Sequence, residues 1–330
     1  MSYQVPMRQI ALVVVLLQSL ALAPLASEAQ GKVYRIGWLS PISSATGAVQ
    51  LEALRKGLAD LGYVEGRNLA LEARWADGDA TRLPRLARAL VELKVDIICS
   101  FGTPATLAAK KATTSIPIVF GQAAFPEQSG IVTSLARPGG NLTGIAFIGP
   151  EYGKRLELLR EIFPKASRVV VLYNDQNIAS VLAMTETQQW ARKLRVTIDP
   201  LGVHDRASLD GAFDTIRRGT PDAVMTTADP VLQSYRTLIA KFAAERRLPS
   251  MHGDQDYVTA GGLMFYGTSM TDMWRHAAIY VDRIFKGAKP GDLPVDQPTN
   301  FDLVINMKTA KALGLTIPHT ILLRATQVIE

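Results

Sequence analysis

The chain has 330 residues, 48% of them hydrophobic and 20% charged, with a net charge of +6. That length suits two domains with sizeable cores, and the composition is ordinary for a globular protein. Basic residues are scattered, with no run longer than Lys110-Lys111 or Arg217-Arg218, so the footprint of a nucleic-acid binder is missing.

The first stretch reads as an address rather than as part of the fold. Arg8 precedes the apolar block Ile10–Ala23, then come Pro24 and small residues up to Ala29. This is the order of a secretory signal, too short to span a bilayer comfortably. Cleavage after Ala29 is expected, leaving Gln30 first; an uncleaved signal anchor is the alternative. No cysteine stands near that point for lipid attachment.

Beyond it, Val33–Leu39 reads as a strand running into Ser40-Pro41. Leu51, Leu54, Leu58 and Leu61 fall at helical spacing within Ala48–Leu61. Strand Leu69–Trp75 and helix Arg82–Lys94 follow. The apolar runs Asp96–Ser100 and Ile116–Phe120 have the form of buried parallel strands. Between them, Thr103 is placed to cap a helix with Pro104 at its first position. Such a helix start, at the carboxyl end of a strand, is where anions and small ligands settle. The only cysteine, Cys99, lies in this region, where a free thiol packs as a small hydrophobe; no intramolecular disulfide can form.

After strand Thr143–Phe147 the alternation starts again. Helix Tyr152–Phe163, strand Arg168–Tyr173, helix Ile178–Leu194, strand Val196–Leu201 and helix Ser208–Arg217 come first. Strand Ala223–Thr227, helix Val231–Arg246, strand Leu263–Tyr266 and helix Asp272–Phe285 complete the run. Repeated β-α order predicts an α/β fold of two doubly wound lobes. The Gly- and Pro-rich connection from Gly287 leads to strand Phe301–Ile305, helix Lys308–Leu313 and a last strand at Ile321–Leu323.

Several chemistries lack their motifs. There is no G-x-x-x-x-G-K-[ST], no G-x-G-x-x-G and no G-x-S-x-G, and the four histidines stand far apart. Pro138-Gly139-Gly140-Asn141 reads as a turn before a crossing between lobes. The polar residues at strand ends are more informative. Asp229, before Pro230, is either a plain helix cap or an acceptor for a ligand ammonium group, and both roles can coexist on different oxygens. Phe125, Tyr173, Tyr257 and Tyr266 stand in or beside loops at the same sheet face, as the wall of a pocket would.

Six stretches together resemble a known family. They are LRKGLADLGYVEGRNLALEARWADGD, GTPATLAAKKATTSIPIVF, SLARPGGNLTGI, LELLREIFPKASRVVVLYN, AGGLMFYG and FDLVINMKTAKALGLTIP. They are similar to the periplasmic substrate-binding proteins of ABC transporters, in the group that includes tryptophan- and phenylalanine-binding members. The resemblance implies a type I periplasmic-binding-protein fold. The first lobe would comprise 30–147 plus about 268–292, and the second 148–267 plus about 293–330, joined by a multi-strand hinge.

Carried onto this chain, the resemblance puts Ser40, Gly102, Thr103, Pro104, Ala124 and Phe125 on the first-lobe side of a ligand. It puts Asn174, Asn177, Ala228, Asp229 and Tyr257 on the second. For an amino acid, the Thr103 hydroxyl and nearby N–H groups would take the carboxylate, Asp229 the ammonium and the aromatics the side chain. This sequence has Phe125-Pro126-Glu127 where relatives carry Asp-Pro-Val, and Gln255-Asp256-Tyr257 where they often show Arg-Glu-Phe.

The expected function is that of a secreted periplasmic binding component, not an enzyme, without metal or cofactor. It would work as a monomer handing a small molecule to an ABC permease and its ATPase subunit. A ligand-sensing subunit for a receptor or histidine kinase is the alternative, and a doubly wound enzyme the third reading.

Overall fold

The computed structural model describes residues 32–147 and 150–330, so the expected signal segment lies outside the described residues. In the first lobe, strands β1 (Tyr34–Ser40), β2 (Leu69–Trp75), β3 (Ile97–Phe101), β4 (Ile118–Ala124) and β5 (Leu142–Phe147) form one parallel sheet in the order β2-β1-β3-β4-β5. Every residue of β3, β4 and β5 is buried, which accounts for their continuous apolar runs. Helices α1 (Ser44–Asp60), α2 (Leu83–Glu92) and α3 (Gly102–Ala112) connect the strands. The side chain of Ser43 caps α1, which buries Leu51, Leu54 and Leu58.

The second lobe begins with α4 (Pro150–Ile162). It continues through β6 (Arg168–Tyr173), α5 (Ile178–Leu194), β7 (Thr197–Gly202), α6 (Arg206–Arg218), β8 (Ala223–Thr226), α7 (Pro230–Ser234) and α8 (Arg236–Glu245). Strand β9 (Ser250–His252), α9 (Asp256–Thr259) and β10 (Met264–Gly267) follow. Helix α10 (Met270–Phe285) then returns to the first lobe, where Trp274, Ala277, Ala278 and Val281 join the core beside Trp38, Leu54 and Leu58. Strand β11 (Asp302–Asn306), α11 (Met307–Ala312), α12 (His319–Leu322) and β12 (Gln327–Ile329) close the second lobe, whose sheet runs β12-β11-β10-β9-β8-β6-β7.

The five parallel strands of each lobe share one order. The sequence β2-β1-β3-β4-β5 is matched by β7-β6-β8-β9-β10. In such an order the connections leave on opposite sides between β1 and β3, and between β6 and β8. Ligands sit in the crevice opened there, outside the carboxyl ends of the strands. Three stretches cross between lobes: after Phe147, after Gly267 and after Asp296. Before leaving, the third lies along β5, with Asp296 N donating to Gly144 O at 2.9 Å and Ala146 N donating to Asp296 O at 2.9 Å.

Two sequence expectations are corrected. Ile321–Leu323 is not a strand: it lies in and just after α12, with Ile321 N donating to Pro318 O, and the closing strand is Gln327–Ile329. Three apolar residues carry no period, and Pro318 sets up the turn instead. The expected helix Val231–Arg246 is two helices, α7 and α8, interrupted at Tyr235 (φ −100°, ψ 9°). There the Ser234 hydroxyl donates back to Pro230 O at 3.0 Å, a local alternative to a regular helical turn.

Candidate functional site

The strand ends of the two lobes face one another across a narrow cavity. From the first lobe it is lined by Phe101, Gly102, Thr103, Gln122, Ala124 and Phe147, with Met270 at the second crossing. From the other lobe come Asn177, Ala179, Ala228, Asp229, Pro230, Gln233 and Asp254. The cavity is small, about 400 Å3 of empty space with its open mouth included, so the lobes stand close together. A Cβ built on Gly102 would lie 3.6 Å from Pro230 Cγ on the opposite lobe.

On the first lobe, β3 ends at Phe101 and α3 begins at Gly102, whose φ of +74° turns the chain in a single residue. The expected cap at Thr103 is therefore corrected: Phe101 is the capping position, and no side chain caps the helix. The Thr103 hydroxyl accepts from Ala124 N at 3.1 Å instead, tying this turn to the end of β4. Gln122, at φ +61°, accepts from Trp274 Nε1 at 3.1 Å and so locks the wall onto α10.

On the second lobe, Asp229 is the cap of α7 and the hub of a buried network. Its Oδ1 accepts from Val231 N at 2.8 Å, Leu232 N at 3.3 Å and Asn174 Nδ2 at 3.2 Å; its Oδ2 accepts from Asn177 Nδ2 at 2.8 Å. Burial raises its carboxyl above the ordinary range, while these four donors pull it back. Asn177 in turn caps α5 through Oδ1. Asp254, after β9, accepts from Asp256 N at 2.9 Å through Oδ1, while its Oδ2 has no partner; nor does Gln233 Nε2. Burial pushes the Asp254 carboxyl up to about 7, with Asp256 adding to the effect.

Of the residues singled out from the sequence, Gly102, Thr103, Ala124, Asn177, Ala228 and Asp229 meet on the cavity wall. Asn174 stands behind it, holding Asp229. Ser40 is fully buried at the end of β1, and Pro104 is the third residue of α3 rather than its first; neither is on the wall. Phe125, in the left-handed region at φ +49°, stacks on Tyr152 of the second lobe with ring centroids 5.9 Å apart. Tyr257 is buried beneath α7, stacked on His252 and donating to Leu232 O at 2.6 Å. Gln122 and Gln233 escaped the sequence reading as wall residues, while Asp254 stands in the loop His252–Tyr257 that the resemblance carries to the ligand side, with Tyr257 rather than Asp254 singled out there. The usable signal was position: Asp254 follows a parallel strand, as Asp229 does.

The family model described as ABC transporter substrate binding protein matches residues 36–329. The chain belongs to that family. This substrate-binding protein is 28% identical over 261 residues to a tyrosine-binding protein of Clostridioides difficile, an alignment covering 79% of this chain and 75% of the relative. It also resembles the solved structure of an ABC domain from Streptococcus pneumonia in complex with L-Trp. That likeness has 25% identity and a TM-score of 0.85, covering 90% of this chain and 99% of that one. Against the ligand-free, open structure of a substrate-binding protein with adhesive properties from Clostridium difficile, identity is 24%. The coverage is again 90% and 99%, but the TM-score is 0.66. Over equal shares of the chain, the fold of this substrate-binding protein superposes better on the L-Trp complex than on the open form.

Proposed function

We propose that this substrate-binding protein captures an L-amino acid, aromatic members included, between its two lobes outside the cytoplasm and passes it to a membrane permease. One observation carries the reading: the uncapped start of α3 faces the buried carboxylates Asp229 and Asp254 across a cavity between lobes. Helix starts favour anions and carboxylates favour cations, so the cavity offers both ends of a zwitterion a partner. The tyrosine-binding and L-Trp-complexed relatives support the same ligand class. No bond need be made or broken; binding shifts an equilibrium between open and closed arrangements, since only the closed one lets both lobes touch the ligand.

The test is native mass spectrometry of protein purified without denaturation, followed by a thermal-shift panel of the twenty L-amino acids. A co-purified mass matching an amino acid, together with a raised melting temperature for it, is the expected result. Retention of an unrelated mass, with no response to any amino acid, rules the ligand class out.

A further inference from the structure

Phe125 would stand beside the ligand by family resemblance, yet it is not on the cavity wall. Its neighbours Ala124 and Phe147 are there, while the Phe125 ring lies on Tyr152 of the other lobe at an interplanar angle of 14°. The backbone that places this ring is held from both sides. Phe125 N donates to Phe147 O at 3.2 Å, and Phe125 O accepts from Ser129 N at 2.7 Å. Phe147 ends β5 just before the first crossing, and Tyr152 stands in the first turn of α4 just after it. The stack therefore bridges that crossing. A phenylalanine at φ +49° is strained, and such strain persists only where the surroundings over-determine the residue.

The stack belongs to a wider apolar seam between the lobes. Leu156 and Leu159 of α4, like Met184 of α5, pack into the second lobe's own core. Tyr152, Ala179 and Ala183 instead join the core of the first lobe, together with Ala124, Phe125 and Phe147. Ala179 and Ala183 stand one turn apart on α5, where small side chains leave room for rings to approach the helix. Arg155 lies over the Tyr152 ring, its guanidinium carbon 5.1 Å from the centroid, and its Nε donates to Tyr266 O at 2.6 Å. Tyr152 thus keeps a partner in its own lobe when the first lobe withdraws. Parting the lobes returns the seam to water, so the seam favours the shut arrangement whatever the cavity holds.

Resting on the reading that a ligand is captured by closure between lobes, we propose that the Phe125–Tyr152 stack is a latch for the shut arrangement. It sets how tightly a ligand is held without touching it, so Phe125 is a positioning residue and specificity belongs to the cavity wall. This role has a signature. A residue that touches ligand changes affinity by amounts that differ from one ligand to another. A latch acts on the equilibrium between open and shut arrangements alone, and scales every affinity by one factor.

Calorimetric titration of wild type, Phe125→Leu, Tyr152→Leu and the double variant tests this, with L-tyrosine, L-tryptophan and L-phenylalanine as probes. Each single variant should weaken all three by one common factor of about fivefold. The double variant should lose little more than either single one, because the stack is already gone. Phe125→Gly, which suits the left-handed backbone, guards against an ill-folded leucine variant and should also weaken all three alike. A second readout needs no ligand. Double electron–electron resonance between nitroxides at Lys56→Cys and Lys241→Cys, exposed sites on opposite lobes, should show the shut population of wild type depleted in every variant; Cys99 is buried and takes no label. Unchanged affinities, losses that differ between probes, or full additivity in the double variant would overturn the latch while the amino-acid reading stands. If wild type binds no L-amino acid, that reading falls, and the resonance populations decide the latch: depletion in the variants supports it, and unchanged populations remove it too.

Discussion

Asp254 and His252 stand two residues apart, both buried, and burial pushes them in opposite directions: the carboxyl up to about 7, the imidazole down to about 3. The signs differ accordingly. For Asp254 the folded value exceeds the unfolded one, so its contribution to stability is full below about pH 4 and fades as pH rises through about 7. For His252 the contribution is present above its unfolded value of 6.5 and is lost as pH falls toward 3. Asp254 lines the cavity, so on the proposed amino-acid reading its charge bears on the ligand's ammonium group. Asp256 raises its carboxyl further, whereas Arg236 on α8 and Arg155 on α4 lower it. An ammonium group requires the ionised form, so affinity for an L-amino acid should fall below about pH 7, approaching tenfold per unit. Titrations at pH 8, 6.5 and 5.5 measure this; a flat wild-type profile would count against the pairing, and Asp254→Asn should be flat.

Asp229 was legible as a residue of the cavity wall because a carboxylate before Pro230 at a strand end is conspicuous in a sequence. Asp254 and Gln233 were not. Their significance lies in what does not bond to them, and the lack of a partner is a property of packing, invisible in any local pattern. Thr103 shows the converse. Its hydroxyl looked free to cap, but the helix starts two residues earlier than expected, at Gly102, and Ala124 takes the hydroxyl.

At the level of elements, the sequence carried most of the fold. The runs Leu69–Trp75, Arg168–Tyr173 and Ile178–Leu194 form the expected elements at the expected boundaries. Their apolar pattern is strong and their ends are marked, as by Asn177 before α5. Short apolar runs such as Ile321–Leu323 failed for want of a period. The return of α10 to the first lobe came from the family resemblance, and its physical basis appears only in packing. Trp274 lies over Gly121 of β4, where a built Cβ would stand 2.6 Å from the indole. The same indole donates to Gln122 on the cavity wall. Gly121→Ala therefore forces either strand or helix aside and should destabilise the protein by about 1–3 kcal/mol. Urea unfolding measures it. A neutral result would mean that α10 is seated less firmly than the Trp38–Trp274 contact, with ring centroids 4.4 Å apart, implies.

At the scale of the whole molecule, two lobes of one strand order meet through three crossings, and the strand ends that define the crevice are nearly in contact. Gly102 against Pro230, and the small space between lobes, describe a shut clamp. An aromatic amino acid cannot enter such a clamp unless the lobes part, so the ligand-free protein in solution must visit a wider arrangement. Two measurements follow from one equilibrium. Ligand at about 100 times its Kd should add about 2.7 kcal/mol to the folded state. For a chain of about 300 folded residues that raises the melting temperature by roughly 4 °C. Small-angle X-ray scattering should show the ligand-free protein more extended than this shut arrangement, with the radius of gyration shrinking to the shut value as ligand saturates. The two readouts discriminate: a raised melting temperature without compaction would mean that ligand binds within one lobe or to a clamp already shut, and hinge closure would then be excluded as the means of capture.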